Sequence, residues 1–385
     1  MISMNSKQKG IVSTMIKRFE VDNYKGFSKR LVWDLSARDY SFNRNLVQNG
    51  IVNKAIVYGK NGIGKTSLGL ALFDITFHLT DKTRLNNNYL LNYRNLTSPD
   101  KPVSFTYVFQ FDNDEVIYDY QKIDQDNLIW EKLTVNGKVL LDYNYFENDK
   151  RFISVELQSS LNIDLVDNKL SVLKFIYRNT PTNTIPVITE MIKFCENMLW
   201  YRSLSEGNAY AGFTNGTTTL VENLYQSGKV REFEQFLRDN GLNYKLKFDS
   251  INGVHELFAL FDDGEKENRT PFISIASTGT MALFLFFTWQ IVAFKQISFL
   301  FIDEFDAFLH FESAEEIVKT LNKSKSFQSV LTTHNTSLMT NSLTRPDCCY
   351  IMTENRITSL INATDRELRE GHNLEKLYKS GEFNE

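Results

Sequence analysis

Regular alternation of apolar and polar residues begins after Met15. Over Ile16 to Val21 and Leu31 to Leu35 it predicts two strands around a turn at Asn23-Tyr24-Lys25-Gly26-Phe27. Residues 1–14 are polar and aperiodic, the pattern of a loose tail. A third apolar run, Ala55 to Tyr58, leads into a glycine-rich loop and a helix expected over Lys65 to Thr76. Between Val103 and Tyr143 the period becomes two. SFTYVFQF, VIYDYQKI, LIWEKLTV and KVLLDYN are separated by Asp112-Asn113-Asp114, Asp124 to Asn127 and Asn136-Gly137, which predicts an antiparallel meander. Residues 181–240 turn to helical spacing in IPVITEMIKFCENMLW and TTLVENLYQSGKVREFEQFL. Strand patterns return at Tyr244 to Phe261. A Ser-Thr-Gly-Thr turn at 277–280 then precedes a long apolar helix, and Ile297 to Ile302 and Ser329 to Thr332 read as buried strands.

These elements predict an α/β fold in five parts: a tail over 1–14, a first lobe over 15–180 with the glycine loop and the meander, a helical insertion over 181–245, a second lobe over 246–363 and a C-terminal helical segment over 364–385. No internal repeat is present, and no heptads run long enough for a coiled-coil arm. The 385 residues, 42% hydrophobic and 23% charged, suffice for a full core. A net charge of −4 excludes a global basic field, so direct binding of nucleic acid would need a local patch. The longest nearly unbroken apolar run, Met281 to Phe294, is shorter than the roughly 20 residues of a membrane helix and contains Thr288 and Gln290. No membrane association is expected. The N-terminus lacks the apolar core of a secretory signal, so a cytoplasmic location is expected. Cys195, Cys348 and Cys349 are too few and too badly placed for a disulfide framework or a zinc site, and read as small buried hydrophobes.

Gly59-Lys60-Asn61-Gly62-Ile63-Gly64-Lys65-Thr66 fits G-x-x-x-x-G-K-[ST] between an apolar strand and a helix, the setting this phosphate-binding motif requires. Gly59, Gly62 and Gly64 let the backbone of Asn61 and its neighbours wrap a polyphosphate with its N–H groups, and the helix start through Ser67 adds its positive end. Lys65 would bridge the β- and γ-phosphates of ATP, and Thr66 would place its hydroxyl on Mg²⁺. Ser298 to Glu304 is an apolar strand ending in two carboxylates. Asp303 is expected in the Mg²⁺ shell, and Glu304 is expected to orient, or accept a proton from, the water that attacks the γ-phosphate. Ser329 to Asn335 is a second such strand, from which His334 could reach the γ-phosphate. Ser277 and Gly279, at a helix start, form an anion site or an ordinary helix cap.

In that order, the phosphate loop, the Ser-Thr-Gly-Thr turn, Asp303-Glu304 and His334 resemble the head of an ABC-type ATPase. Asn23 to Phe27, the Ser-x-Gly-Thr turn, Ile302 to His310 and Thr332 to Asn335 are similar to the RecF and OLD-like branch. Arg151 to Ser154 and Arg366 to Leu374 also resemble the bacterial ATPases of abortive-infection and restriction-linked operons, the RloA and AbiL type. The resemblance implies an ATP-dependent homodimer or higher oligomer, in which Ser277 and Gly279 of one subunit close on the ATP of the other. Ala307 to His310 would run between the two sites, and Lys25 would approach the nucleotide from the first lobe. Thr278 in place of the first signature glycine implies slower turnover, and Phe311 stands where relatives often have proline. The glutamine that couples the Mg²⁺ site to the helical lobe in relatives has no clear counterpart; Gln110 is one candidate, and a strand-face polar residue is the plainer reading. OLD proteins carry a Toprim nuclease after the ATPase, whereas 51 residues follow His334 here, without a D-x-D pair. The expected function is therefore Mg²⁺-dependent ATP hydrolysis that senses or gates a separately encoded effector, a nuclease or RNase, in anti-phage defence; residues 181–245 or 364–383 read as its docking surface or, equally, as segments packed on the chain's own core. Alternatives are an SMC-like or RecF-like repair ATPase that clamps DNA, an ATP-binding scaffold with little turnover, and the ATP subunit of a transporter.

Overall fold

The computed structural model describes residues 14–82, 91–157, 167–181, 186–203, 210–213, 218–251, 253–262 and 267–383. Most of the expected N-terminal tail, residues 1–13, and parts of the 181–245 insertion lie outside them.

The period-two segments form the meander in the register their alternation requires. Strands Val103–Phe111, Asp114–Lys122, Leu128–Val135 and Lys138–Asn144 pair antiparallel in sequence order. Along Val103–Phe111 every second side chain is buried, so one face meets the core and the other is half-solvated. Thr14–Asp22 and Leu31–Asp34 extend this sheet on one edge and Arg151–Ile153 on the other, giving seven strands.

A second seven-stranded sheet holds the chemistry. Met198–Arg202, Phe299–Asp303, Gln328–Thr333, Lys54–Tyr58 and Cys349–Thr353 lie side by side in parallel, with Tyr210–Gly212 and Arg356–Ser359 antiparallel at the edges. Its three middle strands are buried at every position, as expected of a parallel sheet covered on both faces. Ala55, Val57, Trp200, Phe299, Phe301 and Val330 face a core shared with the meander, whereas Ile56, Leu199, Leu300, Ile302 and Leu331 face a second core. Helices Leu220–Ser227, Val230–Asp239, Thr278–Val292 and Phe311–Lys323 supply much of that second core. Thr278–Val292 is apolar around most of its circumference because it is buried over most of its length. A three-stranded antiparallel sheet, Leu246–Ile251, Val254–Asp262 and Glu267–Pro271, packs beside these helices.

One expectation fails here. Residues 181–240 are not wholly helical: after the helix Pro186–Glu196, Met198–Arg202 is a strand beside Phe299–Asp303. A short apolar run at the end of a helical pattern carries no period of its own, and burial on both faces of the sheet decides it. The C-terminal segment is helical only over Leu374–Lys379.

Gln328 clips the two large sheets together. Its Oε1 accepts from the Ile16 amide at 2.9 Å, and its Nε2 donates to the carbonyls of Ile16 at 2.9 Å and Val52 at 2.8 Å. Both polar groups of Ile16 engage Gln328, and the register of its strand against Val103–Phe111 shifts between Ile16 and Arg18. Gly69 fits helix Lys65–Leu72 against the sheet, since a Cβ there would lie 2.6 Å from Trp200 Nε1 and 2.8 Å from the Phe301 ring.

Lys54 is a buried cation inside the sheet. Its Nζ donates to the Phe327 carbonyl at 2.5 Å and sits 4.5 Å from the Phe327 ring centre. Burial pulls its pKa down from 10.5 to about 7. Between those values the unfolded chain binds the proton and the folded chain does not, so this group's contribution to stability rises with pH; below about 7 the cost of burying the charge is present in full. Lys54→Met is therefore expected to be more stable than the parent at pH 6.5, and this advantage should shrink by on the order of 3 kcal/mol by pH 9.5. Urea melts of both proteins at the two pH values check this; a pH-independent difference would contradict it.

Candidate functional site

Three chain segments converge at the C-terminal ends of the central parallel strands. The loop after Lys54–Tyr58 turns into helix Lys65–Leu72 with Gly62 at φ 78° and Gly64 at φ 109°, backbone settings that favour glycine. A Cβ on Gly64 would also approach the Phe27 ring to 3.0 Å, and one on Gly59 would approach Ile63 to 2.9 Å. The Gly59 amide donates to the Thr333 carbonyl at 3.3 Å, tying the loop to the strand that precedes His334. Lys60, Asn61 and Gly62 are exposed at the rim, with Ser67 half-buried in the first helical turn. Lys65 is buried, and its Nζ donates to the carbonyls of Gly59 at 2.7 Å and Lys60 at 3.0 Å. Burial lowers its pKa, while Glu304, Asp303 and Asp306 pull it back up.

Asp303 is fully buried at the end of its strand. Thr66 Oγ1 donates to its Oδ2 at 2.6 Å and Thr332 Oγ1 to its Oδ1 at 2.7 Å. Burial raises the carboxyl pKa against the lowering effect of these hydroxyls and of Arg202. Glu304 follows at φ 50°, a left-handed setting unusual for a residue with a side chain, and its amide donates to Thr332 Oγ1 at 2.8 Å. Thr332 thus fixes both acidic residues at once, a role its sequence position beside His334 did not suggest. Asp306 accepts from Thr333 Oγ1 at 2.8 Å. Burial raises the Asp306 pKa against the lowering effects of the Thr333 hydroxyl and of nearby His334, and His334 itself is exposed at the strand end.

Arg202 is the residue that the sequence pattern concealed. It stands in register with Asp303 on the neighbouring strand. Its Nη2 and Nε donate to Glu304 Oε2 at 2.6 and 3.2 Å, and its Nε lies 3.7 Å from Asp303 Oδ2. Placing Met198–Arg202 as a strand next to the acidic strand is the signal that would have found it.

The remaining expected residues make other contacts. Ser277 caps helix Thr278–Val292, its Oγ accepting from the Thr280 amide at 3.1 Å. Gly279 meets the Phe308 carbonyl, 2.7 Å from where a Cβ would stand, so close packing within one chain already requires glycine there. Lys25 donates its Nζ to the Leu91 carbonyl at 2.7 Å, and burial lowers its pKa to about 8. The ammonium is thus engaged by a neighbouring loop of its own lobe. Gln110 donates to the carbonyls of Asp112 and Asp114, closing its own hairpin, which agrees with the plainer reading of that residue.

A glycine loop at a helix start, a buried lysine and a hydroxyl hydrogen-bonded to a buried carboxylate can bind a polyphosphate with a hard cation. Residues 54–340 match the family described as "AAA domain, putative AbiEii toxin, Type IV TA system", roughly three quarters of the chain. The chain belongs to this family. Its α/β fold is that of a P-loop ATPase domain, a family of nucleotide-binding domains. No curated protein matches the chain. Among solved structures, an SMC head domain from Thermotoga maritima is 14% identical, covering 89% of this chain and 98% of that one at a TM-score of 0.40. A Pyrococcus furiosus Smc head with an extended coiled coil, bound to the C-terminal domain of ScpA, is 15% identical over 90% and 96% at 0.45. The recombination mediator RecF with ATP is 12% identical over 91% and 100% at 0.40. No helix among the described residues is long and apolar enough to cross a membrane.

Proposed function

We propose that this AAA domain hydrolyses ATP with Mg²⁺ as an ABC-type head of the RloA and AbiL kind, and that dimer closure over the nucleotide gates a separately encoded effector. The observation that carries the reading is the 2.6 Å hydrogen bond between Thr66 and Asp303, which joins the phosphate loop to the acidic strand across 237 residues of sequence. A hydroxyl and a carboxylate oxygen at this spacing are the hard donors an octahedral Mg²⁺ takes from a protein when phosphates and waters complete its shell. Thr66 and Asp303 would hold the ion, which when bound would neutralise charge on the phosphates. Gly59, Asn61, Gly62, Gly64, Lys65 and Ser67 would bind and orient the triphosphate. Glu304 would align the attacking water and take its proton, and His334 would contact the γ-phosphate from the other side.

Ser277 and Gly279 would complete the site from the second subunit. Exposed Ile273 and Ile275 precede that turn and exposed Phe308 packs on it through its carbonyl, apolar surface that a second copy could cover. A family described by a toxin and a Type IV TA system supports a defence role; the effector we propose for it is a nuclease. Purified protein is expected to release phosphate from ATP with Mg²⁺ and to stop when the metal is chelated; a chain that binds no nucleotide would end the proposal. A chain that alone cleaved DNA or RNA would instead overturn the separate effector.

Ser277→Asp tests the dimer directly. Aspartate keeps the helix cap, since it is as good an N-cap as serine, but sets a carboxylate where the γ-phosphate of the other subunit would lie. ATP binding to the monomer should persist while the ATP-dependent dimer is lost in sedimentation velocity. A variant that dimerises like its parent would remove Ser277 from the interface.

A further inference from the structure

The backbone around Arg202 is pinned to the acidic strand end at two successive residues. Arg202 pairs in register with Asp303, and the amide of the next residue, Ser203, donates to the Asp303 carbonyl at 3.3 Å. From that fixed base the guanidinium sends two donors to one oxygen, Glu304 Oε2. Glu304 Oε1 accepts no hydrogen bond among the described residues, and the side chain is 28% exposed, so this carboxylate keeps an oxygen uncommitted within reach of water. A planar two-donor fork stops the carboxylate from swinging, which a single point charge such as lysine cannot do as well. The restraint also suits a residue whose own backbone stands at φ 50°.

We propose that Arg202 is a positioning residue for hydrolysis: it holds Glu304 by Oε2 so that Oε1 is presented to the attacking water. This role rests on the ATPase reading above. Water must be aligned with the γ-phosphate before it can attack, and a base that rotates freely samples that alignment only part of the time. Arg202 makes no contact with the water itself. It acts through the carboxylate.

The test uses the full chain with Arg202→Met and Arg202→Lys, reading phosphate release, binding of a fluorescent ATP analogue, and thermal melting. Arg202→Met is expected to lower kcat about 100-fold, the scale of a misplaced catalytic group, with KM and analogue affinity unchanged. Arg202→Lys should keep more activity than Arg202→Met. Free guanidinium ion at millimolar, non-denaturing concentration should restore part of the turnover of Arg202→Met, a recovery that loss of mere packing would not give. Turnover of Arg202→Met at or above the parental rate would overturn the role, as would an equal loss of analogue affinity, or no difference between the variants together with no rescue. Should Arg202→Met fail to fold, Arg202→Lys at full parental activity would overturn it and a lowered kcat at unchanged KM would support it. A parent that binds no nucleotide or releases no phosphate removes the ATPase reading and this role together; a parent that turns over beside an unaffected Arg202→Met removes the role alone.

Discussion

Lys65→Ala is expected to abolish saturable ATP binding while the protein stays folded. The lysine is the buried cation of the loop, and it faces Glu304, Asp303 and Asp306, all of which raise its pKa. Without it, three carboxylates stand near the place where a triphosphate must enter, and Arg202 on Glu304 is the cation that remains against them in direct contact. Truncating one partner of a buried charged contact costs about 2–5 kcal/mol, or roughly 30-fold to several thousand-fold in affinity. The folded state should suffer little. Lys65 spends its hydrogen bonds on the Gly59 carbonyl, which is buried, and the Lys60 carbonyl, which is partly open to water, and its burial penalises the charge the variant removes. Calorimetric titration with ATP, set beside a melting curve, checks both halves. Undiminished binding would sink the assignment of the loop.

How much of this could be read from residues alone follows from how far each signal reaches. The meander strands were legible nearly to the residue because alternation is local and Asn136-Gly137 and the acidic turns punctuate it. The phosphate loop and the acidic strand were legible as motifs, but their meeting at Thr66 and Asp303 is a tertiary fact that no local pattern contains. Met198–Arg202 was hidden for the opposite reason. MLWYR is apolar without period, follows a helix directly, and becomes a strand through its parallel partner Phe299–Asp303, a hundred residues later in the chain. Arg202 was lost with it. The direction of the Lys25 side chain was equally out of reach, since the Leu91 carbonyl that takes its ammonium belongs to a distant loop. Gly279 shows a subtler limit: an expected phosphate contact and a close approach to Phe308 select the same residue, and sequence cannot separate them.

Glu304→Gln is expected to bind ATP normally and to hold it without hydrolysis. Glutamine has the length and shape of glutamate and meets no new steric barrier at φ 50°, so the turn held by Thr332 should persist. What changes is proton affinity. A carboxylate can orient a water and accept its proton as the phosphorus–oxygen bond breaks, whereas an amide can do only the first. General-base groups contribute about 10²- to 10⁴-fold, so kcat should fall within that range while affinity for ATP stays near the parental value. The Arg202 guanidinium would still find an oxygen acceptor in the glutamine side chain, though a neutral one, which keeps the strand end together. Because the nucleotide is no longer consumed, any ATP-dependent dimer should accumulate in this variant. Single-turnover hydrolysis and sedimentation with ATP read the two effects separately. Parental turnover would take the base role from Glu304, and impaired ATP binding would mean that its charge serves the cation site beside Asp303.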